Sequence, residues 1–207
     1  MEKLDAWFDD LNKLIQDIFI SHKHLSIVRE ERKHKKFLNE DFFSFYQYQQ
    51  WFMLNIQLAK IFENKKTQKR NIGSLFNGII KGDFSDELKP FLNDITKNKS
   101  GLNYEQFIDK IKELNSLIKT HEKIITKISN ARNKIYAHTD IDRIINFPPV
   151  EEMKTVTELA AHLYNKSRGL LYDKHMDFTH GINNLTLNFI IKVIDRRTEI
   201  KLHNENA

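Results

Sequence analysis

The side chains with the clearest capacity for chemistry lie in residues 129–140, whose sequence is SNARNKIYAHTD. Arg132 and Asn133 stand side by side there, and His138 follows six positions after the arginine. An arginine can bind two phosphate oxygens at once through parallel N–H groups. A histidine moves protons near neutral pH, because its unperturbed pKa is about 6.5. These residue types suit RNA cleavage, in which a ribose 2′-hydroxyl attacks the neighbouring phosphate, and they require neither a metal nor another cofactor for it.

Neighbouring polar residues in the same stretch could support these groups. Asn133 can hold a phosphate oxygen or fix the tautomer of His138. Asp140 can orient the His138 ring, although capping of the following turn is an equal alternative. Lys134 and Tyr136 lie within the motif and are candidates for supporting substrate binding. The candidate catalytic set is thus the arginine, the histidine and Asn133, with the other three as supporting residues.

The spacing of the motif argues against a complete site on one helix. A helix turns by about 100° per residue, so Arg132 and His138, six positions apart, do not share a face. Two copies of the chain that face each other across a dimer axis could instead form a shared groove with two arginines and two histidines. A non-catalytic alternative is that Arg132 pairs with a surface carboxylate and His138 binds a free carbonyl at the helix end. The residues alone leave both interpretations open.

The elements that must position the motif are all predicted to be helices. Only six Gly and three Pro occur in 207 residues, fewer than a sandwich, a barrel or a doubly wound sheet needs for its turns. The apolar pattern predicts helices over residues 2–35, 41–64, 74–81, 86–97, 103–135, 150–167 and from 179 or 181 to 200. We expect one all-α, up-and-down helical bundle over residues 1–207, with its core in about 1–145 and a C-terminal helical extension over about 146–203.

Several helix boundaries can be predicted from local signals. Asn39 or Asp41 is placed to cap the second helix. Asn103 and Gln106 form a capping-box pair at the start of the helix that leads into the motif, which is predicted to be the longest. Gly169 is expected to end the helix that follows the motif.

Composition limits the cellular location and the kinds of site that we expect for this protein. The chain has no cysteine, which excludes disulfides and thiolate metal sites and indicates a cytoplasmic location. The N-terminus lacks the basic start and continuous apolar run of a signal peptide, and no apolar run is long enough to span a bilayer. The net charge of +5 is compatible with RNA binding. The dense charge run 29–36 is interpreted as a solvated face, with an RNA-contacting strip as the sharper alternative.

Other groups of polar and aromatic residues carry weaker signals. The aromatic side chains of the second predicted helix could stack on bases, but their helical spacing and aliphatic neighbours favour a buried core. His22 and His24 point to different helix faces, which argues against a shared metal. His175, Asp177 and His180 have a spacing closer to that of metal ligands, yet loop or capping roles are favoured.

The stretch from Arg132 to His138 resembles the motif of the HEPN superfamily: an arginine, a polar residue directly after it, a short spacer and a histidine near a helix end. Together with Ala131 and the run 137–140, it is similar to the abortive-infection, AbiU-type branch. The resemblance implies a bundle of HEPN type that dimerises through the motif helices and cleaves RNA without a metal, leaving a cyclic phosphate. It also implies a role in toxin–antitoxin, phage-defence or abortive-infection systems, with Arg132 and His138 catalytic and Asn133 supporting.

The resemblance has one difference that concerns regulation. Some HEPN toxins carry a tyrosine two positions after the histidine, which a partner nucleotidyltransferase modifies, and this chain has Asp140 there. The main hypothesis is a homodimeric endoribonuclease with an RNA substrate and a possible cognate antitoxin. The alternative is a catalytically silent helical module that binds RNA or protein in a defence complex. A third hypothesis, a membrane-surface protein, rests only on the basic run 29–36.

Overall fold

The computed structural model describes residues 1–63, 70–136, 148–179, 187 and 190–196. Throughout these residues the regular structure is helical, which confirms the predicted all-α class. The α-helices are α1 (Glu2–Glu31), α2 (Asp41–Phe62), α3 (Ile72–Lys81), α4 (Ser85–Asn93), α5 (Tyr104–Thr120), α6 (Glu122–Tyr136) and α7 (Val150–Tyr172). A short 3-10 helix, Lys36–Asn39, joins α1 to α2, and residues 190–196 are helical as well. None of the helices so described is both long and apolar enough to cross a lipid bilayer.

The centre of the bundle is formed by α1, α2 and α7. One stripe of α1 is buried at helical spacing against the other two helices; it comprises Leu4, Phe8, Leu11, Ile15, Ile18 and Leu25. Phe8 meets Tyr164 of α7 edge-on, with 5.7 Å between the ring centroids. Burial of each such side chain contributes about 1.5–3 kcal/mol. Apolar burial, rather than the numerous charged groups, therefore holds the bundle together.

The two halves of α2 differ in their exposure to solvent. Its second half is enclosed, with Leu54 and Leu58 at 0% exposure, because α1, α6 and α7 all pack against α2. Its first half is open on one side, where Phe42, Phe45 and Tyr48 are 66%, 61% and 41% exposed. The interpretation of the aromatic residues of this helix as core is therefore wrong for these three.

The start of α2 also differs from the predicted capping. Its N-cap is Glu40, whose side chain makes no capping hydrogen bond, so neither Asn39 nor Asp41 has the predicted role. Asp41 lies instead in the first turn, where its charge is favourable beside the positive end of the helix dipole. The predicted capping box of α5 is confirmed. Asn103 Oδ1 accepts from the Gln106 backbone N–H at 2.9 Å, and Gln106 Oε1 accepts from the Asn103 N–H at 3.0 Å.

The helix that was predicted to be the longest is in fact two helices. α5 ends at Thr120 and α6 begins at Glu122, so α1 is the longest helix of the described residues. Local hydrogen bonds explain the break: Thr120 Oγ1 donates to the Leu117 carbonyl at 2.8 Å, and Nδ1 of His121 lies 2.9 Å from the same oxygen. Such side-chain bonds compete with the backbone ladder. The break separates α5, which packs against α3, from α6, which packs against α2.

Gly169 does not end its helix as predicted. α7 continues to Tyr172 and stops at Asp173, whose φ of 50° is left-handed. A Cβ at position 169 would lie 3.4 Å from the ring of the exposed His175, an ordinary contact distance, so packing does not require glycine at this position. Of the two starts predicted for the last helix, Thr179 lies in a turn and residue 181 lies outside the described residues.

Candidate active site

The first half of the motif forms the last turns of α6. Ile128 and Ala131 are 1% and 2% exposed and fix this end of the helix against the bundle. Arg132 follows directly and is itself only 8% exposed, whereas Asn133 and Lys134 are exposed. Packing therefore draws the arginine inward and leaves its two neighbours on the surface.

Arg132 forms a bidentate ion pair with Glu63, the residue directly after α2. Its Nη2 donates to Glu63 Oε1 at 2.5 Å, and its Nη1 pairs with Glu63 Oε2. The same Nη2 donates to Asn133 Oδ1 at 3.0 Å. The side chains of the ion pair are 9% and 6% exposed, so water screens their attraction less than it screens a surface pair. Two side chains thus fix the plane of the guanidinium group.

Hydrogen bonds to the N–H and the carbonyl of Glu63 fix the backbone of this residue. The Glu63 N–H donates to the Ala59 carbonyl at 2.9 Å. The Glu63 carbonyl accepts from Asn71 Nδ2 at 2.8 Å, and Asn71 Oδ1 accepts from the Ser74 N–H at 2.7 Å in the first turn of α3. Asn71 is fully buried. It ties the end of α2 to the start of α3 and so fixes the residue that orients Arg132.

Glu63 is the site residue that the sequence did not predict. It lies 69 positions from Arg132, and no local pattern connects the two. A weak signal exists, because a carboxylate is unfavourable beside the negative C-terminal end of a helix dipole, and this one directly follows the apolar residues Ile61 and Phe62. An acid in such a place requires a nearby cation, but the sequence does not say which one.

A groove lies beside the motif. Its volume is about 350 Å³, within the size range of small-ligand sites. It is lined by Phe62, Glu63, Ile118, Lys119, Glu122, Ile125, Thr126, Ser129 and Asn133. Asn133 therefore contacts the guanidinium of Arg132 and also forms part of the groove wall.

The structure places the other motif residues only in part. Lys134 is exposed on the last turn of α6. Tyr136 is the last residue of α6, and its side chain lies outside the described residues, as do His138 and Asp140 as a whole. The arginine and the asparagine are thus together in the structure, and the role of His138 stays a prediction.

The dense charge run 29–36 makes contacts within the chain. Arg32 donates to the Leu38 carbonyl at 2.7 Å and to Gln47 Oε1 and Ser44 Oγ at 2.6 Å each, so it fastens the link between α1 and α2. Three further cations of the run pair with carboxylates: Arg29 with Glu151, Lys33 with Glu30 and Lys35 with Asp195. These contacts support a structural, solvated face over a strip that binds RNA.

The two neighbouring histidines of α1 have different surroundings. Nδ1 of His24 lies 2.5 Å from the Tyr46 hydroxyl, whereas His22 lines a groove between α1 and α7 together with Lys154. Burial lowers the pKa of both rings, which favours their neutral form at neutral pH. In the described part of the chain, no group of three or more histidine or carboxylate side chains is arranged to hold a metal ion.

The second histidine group has local structural roles. Oδ1 of Asp177 accepts from the Thr179 N–H at 2.8 Å and from its hydroxyl at 2.6 Å. The ring of His175 packs beside Gly169, and His180 lies outside the described residues. The described members of this group therefore fit the loop and capping roles favoured from their spacing.

The comparisons with known proteins give a match to a family model, and that match is consistent with the motif and the fold. No curated protein and no solved structure matches the chain. The family model HEPN_AbiU2, described as AbiU2, matches residues 1–188. That match includes the whole of the motif and all of the helices α1 to α7, and the family gives the protein an abortive-infection, or defence, context. The chain therefore belongs to the AbiU2 family of HEPN proteins.

Proposed function

We propose that this protein is a metal-independent endoribonuclease of HEPN type that acts in an abortive-infection, phage-defence or toxin–antitoxin system. The observation that carries the proposal is the buried Arg132, whose guanidinium Glu63 and Asn133 orient beside an open groove. A buried ion pair that served stability alone could often be replaced by apolar side chains with little loss. The buried pair of Arg132 and Glu63 includes the arginine of the family motif, which favours a chemical role for Arg132.

The proposed reaction is a transesterification at one phosphodiester bond. The ribose 2′-oxygen forms a bond to the adjacent phosphorus, and the bond from that phosphorus to the 5′-oxygen of the next nucleotide breaks. His138 of one copy accepts the proton of the 2′-hydroxyl, and the same histidine of a second copy donates a proton to the leaving oxygen. The products are a 2′,3′-cyclic phosphate and a free 5′-hydroxyl.

Arg132 is suited to stabilise the negative charge that develops on the phosphate. Hydrogen-bond donors that are fixed before the reaction stabilise a transition state without reorganisation during the step. Glu63 and Asn133 supply this fixation, since both accept a hydrogen bond from Nη2 of the guanidinium. Lys134 adds positive charge on the adjoining exposed surface.

The proposed site requires two copies of the chain. One copy offers a single motif, and the spacing of six positions between Arg132 and His138 would put them on different faces if the helix continued regularly. Pairing of two α6 helices would bring both arginines and both histidines to one shared groove. We therefore propose a homodimer through the motif helix, with RNA as substrate and a cognate antitoxin as a further partner.

Cleavage of structured and unstructured RNA, with and without EDTA, tests the proposal. We expect Arg132→Ala and His138→Ala each to lower the cleavage rate by about 100-fold or more, and EDTA to leave it unchanged. Arg29→Ala and His162→Ala are matched controls, because Arg29 forms an exposed ion pair and His162 is exposed on α7. Both controls should cleave like the wild type. Cleavage that persists in both motif variants would refute the proposal.

A catalytically silent binding module is the second candidate function. The open face of α2, with its exposed Phe42, Phe45 and Tyr48, favours it, because adjoining exposed apolar side chains are typical of contact surfaces. This function predicts that the wild type binds RNA or a partner protein and leaves RNA intact. Fluorescence anisotropy of a labelled RNA, measured in parallel with cleavage, distinguishes RNA binding without cleavage from the enzyme.

A further inference from the structure

The groove beside the motif combines apolar walls with a polar stripe. Phe62 supplies apolar surface from α2, and Ile125 supplies it from α6. Thr126, Ser129 and Asn133 follow one another at intervals of three and four residues, so they lie along one side of α6. Apolar walls with a few placed polar groups are typical of sites for small, flat ligands.

The charges of the groove do not suit a phosphate group. Among its described lining residues, Lys119 is the one cation, against the carboxylates of Glu63 and Glu122. Glu63 is paired with Arg132, and Glu122 lies in the first turn of α6, where the helix dipole stabilises its charge. A groove with this balance favours a neutral polar group over an additional anion.

A nucleobase is a neutral group with a matching shape and edge. Its flat face can lie against the apolar walls, and its edge carries both hydrogen-bond donors and acceptors. The side chains of Thr126, Ser129 and Asn133 can donate or accept. A carboxylate such as Glu122 can accept from an exocyclic amine of a base. The groove therefore offers partners for several positions on a base edge.

We infer that this groove holds the base of an unpaired nucleotide next to the bond that is cleaved. The inference rests on the proposed endoribonuclease function. Asn133 provides the connection, because its Oδ1 contacts Arg132 while its side chain lines the groove. A base in the groove therefore directs its own sugar and phosphate toward Arg132. Bases that are paired in an RNA duplex cannot enter, so the enzyme cleaves single-stranded RNA in preference to duplex.

Ser129→Leu tests this inference, because the larger side chain extends into the groove and narrows it. Ser116→Leu is the matched control, since Ser116 is exposed on α5 and does not line the groove. The substrates are one labelled RNA strand and the same strand annealed to its complement. We expect the wild type to cleave the single strand at least about tenfold faster than the duplex, and Ser129→Leu to lower kcat/KM for the single strand by about tenfold. Ser116→Leu should match the wild type, and thermal melting followed by circular dichroism checks the fold of each variant.

Thr126→Val gives a second measurement that does not depend on filling the groove. It removes one hydroxyl at nearly constant shape, so it should change the ratio of kcat/KM values among RNA strands made of a single repeated base. The free energy of unfolding of Thr126→Val is expected to lie within about 0.5 kcal/mol of the wild-type value, because Thr126 is exposed. This variant therefore reports on base preference even where Ser129→Leu fails to fold.

The results distinguish a failure of the inference from a failure of the proposed function. Equal cleavage of single strand and duplex, equal effects of the two leucine variants, or a base preference unchanged by Thr126→Val would overturn the inference and leave the endoribonuclease intact. A wild type without cleavage, or cleavage that persists in both Arg132→Ala and His138→Ala, would instead refute the proposed function, and the inference would fall with it.

Discussion

Arg132 and Arg29 each pair with a glutamate from another part of the chain, but the two pairs lie in opposite surroundings. The side chains of Arg132 and Glu63 are 9% and 6% exposed, whereas those of Arg29 and Glu151 are 49% and 73% exposed. An exposed pair typically contributes less than about 1 kcal/mol, because water and salt screen it. Loss of one partner of a buried pair leaves an uncompensated charge in the interior. The density of charged residues is therefore a poor indicator of the candidate active site, whereas the burial of a single arginine is a better one.

Glu63→Gln is expected to have the largest effect on stability. Without the carboxylate, Arg132 keeps its charge in a buried place, which should lower the free energy of unfolding by about 3–5 kcal/mol. Glu151→Gln makes the same chemical change at the exposed pair and should lower it by about 1 kcal/mol or less. Urea denaturation followed by circular dichroism measures both variants. Equal losses would contradict the contrast between the two pairs.

Replacement of both members of the buried pair separates stability from activity. In the double variant Glu63→Met and Arg132→Met neither charge remains, so we expect a smaller loss of stability than in Glu63→Gln. RNA cleavage should nevertheless stay as low as in Arg132→Ala, because the guanidinium is absent. Urea denaturation and the cleavage assay test these two expectations separately. A double variant as unstable as Glu63→Gln would show that shape, rather than charge, determines the stability of this region.

The parts of the fold that depend on neighbouring residues could be predicted from the sequence. The capping box of Asn103 and Gln106 is one, because its partners are three residues apart and their hydrogen bonds are local. The break at His121 is different, since it depends on the rotamer that brings its ring to a backbone carbonyl. Gly169 was misleading as a stop signal, because the left-handed residue that ends α7 is Asp173 and not this glycine.

The residues of the candidate site also divide into those that the sequence predicts and one that only the structure reveals. Arg132 and Asn133 are adjacent in the chain, so motif spacing was enough to associate them. Glu63 reaches them only through the packing of α2 against α6, across 69 positions. The chain has 28 acidic residues, and nothing in their spacing singles out this one as the partner of the arginine. The chemistry of the motif could thus be predicted, whereas the group that orients it required the structure.

Burial is expected to have a smaller effect on stability at His22, where it shifts the pKa of a single imidazole ring instead of enclosing an ion pair. Burial lowers the pKa of His22, and the neighbouring Lys154 lowers it further. The unfolded chain therefore binds a proton at this residue at a higher pH than the folded chain does. Stability is retained above about pH 6.5 and decreases as the pH falls below that value. His22→Gln should reduce the difference in urea midpoint between about pH 7.5 and about pH 5.5.

His162→Gln is the matched control for this pH dependence, because His162 is exposed on the same helix that packs against His22. Two other charges act on the half-buried ring in opposite directions, since Glu158 raises its pKa and Lys23 lowers it. Removal of Glu158 by Glu158→Gln should therefore make stability more sensitive to acid, which is the reverse of the His22→Gln result. If His22→Gln instead keeps the pH dependence of the wild type and of the control, burial of this ring makes no contribution. The contrast between buried and exposed groups would then be restricted to the two arginine pairs.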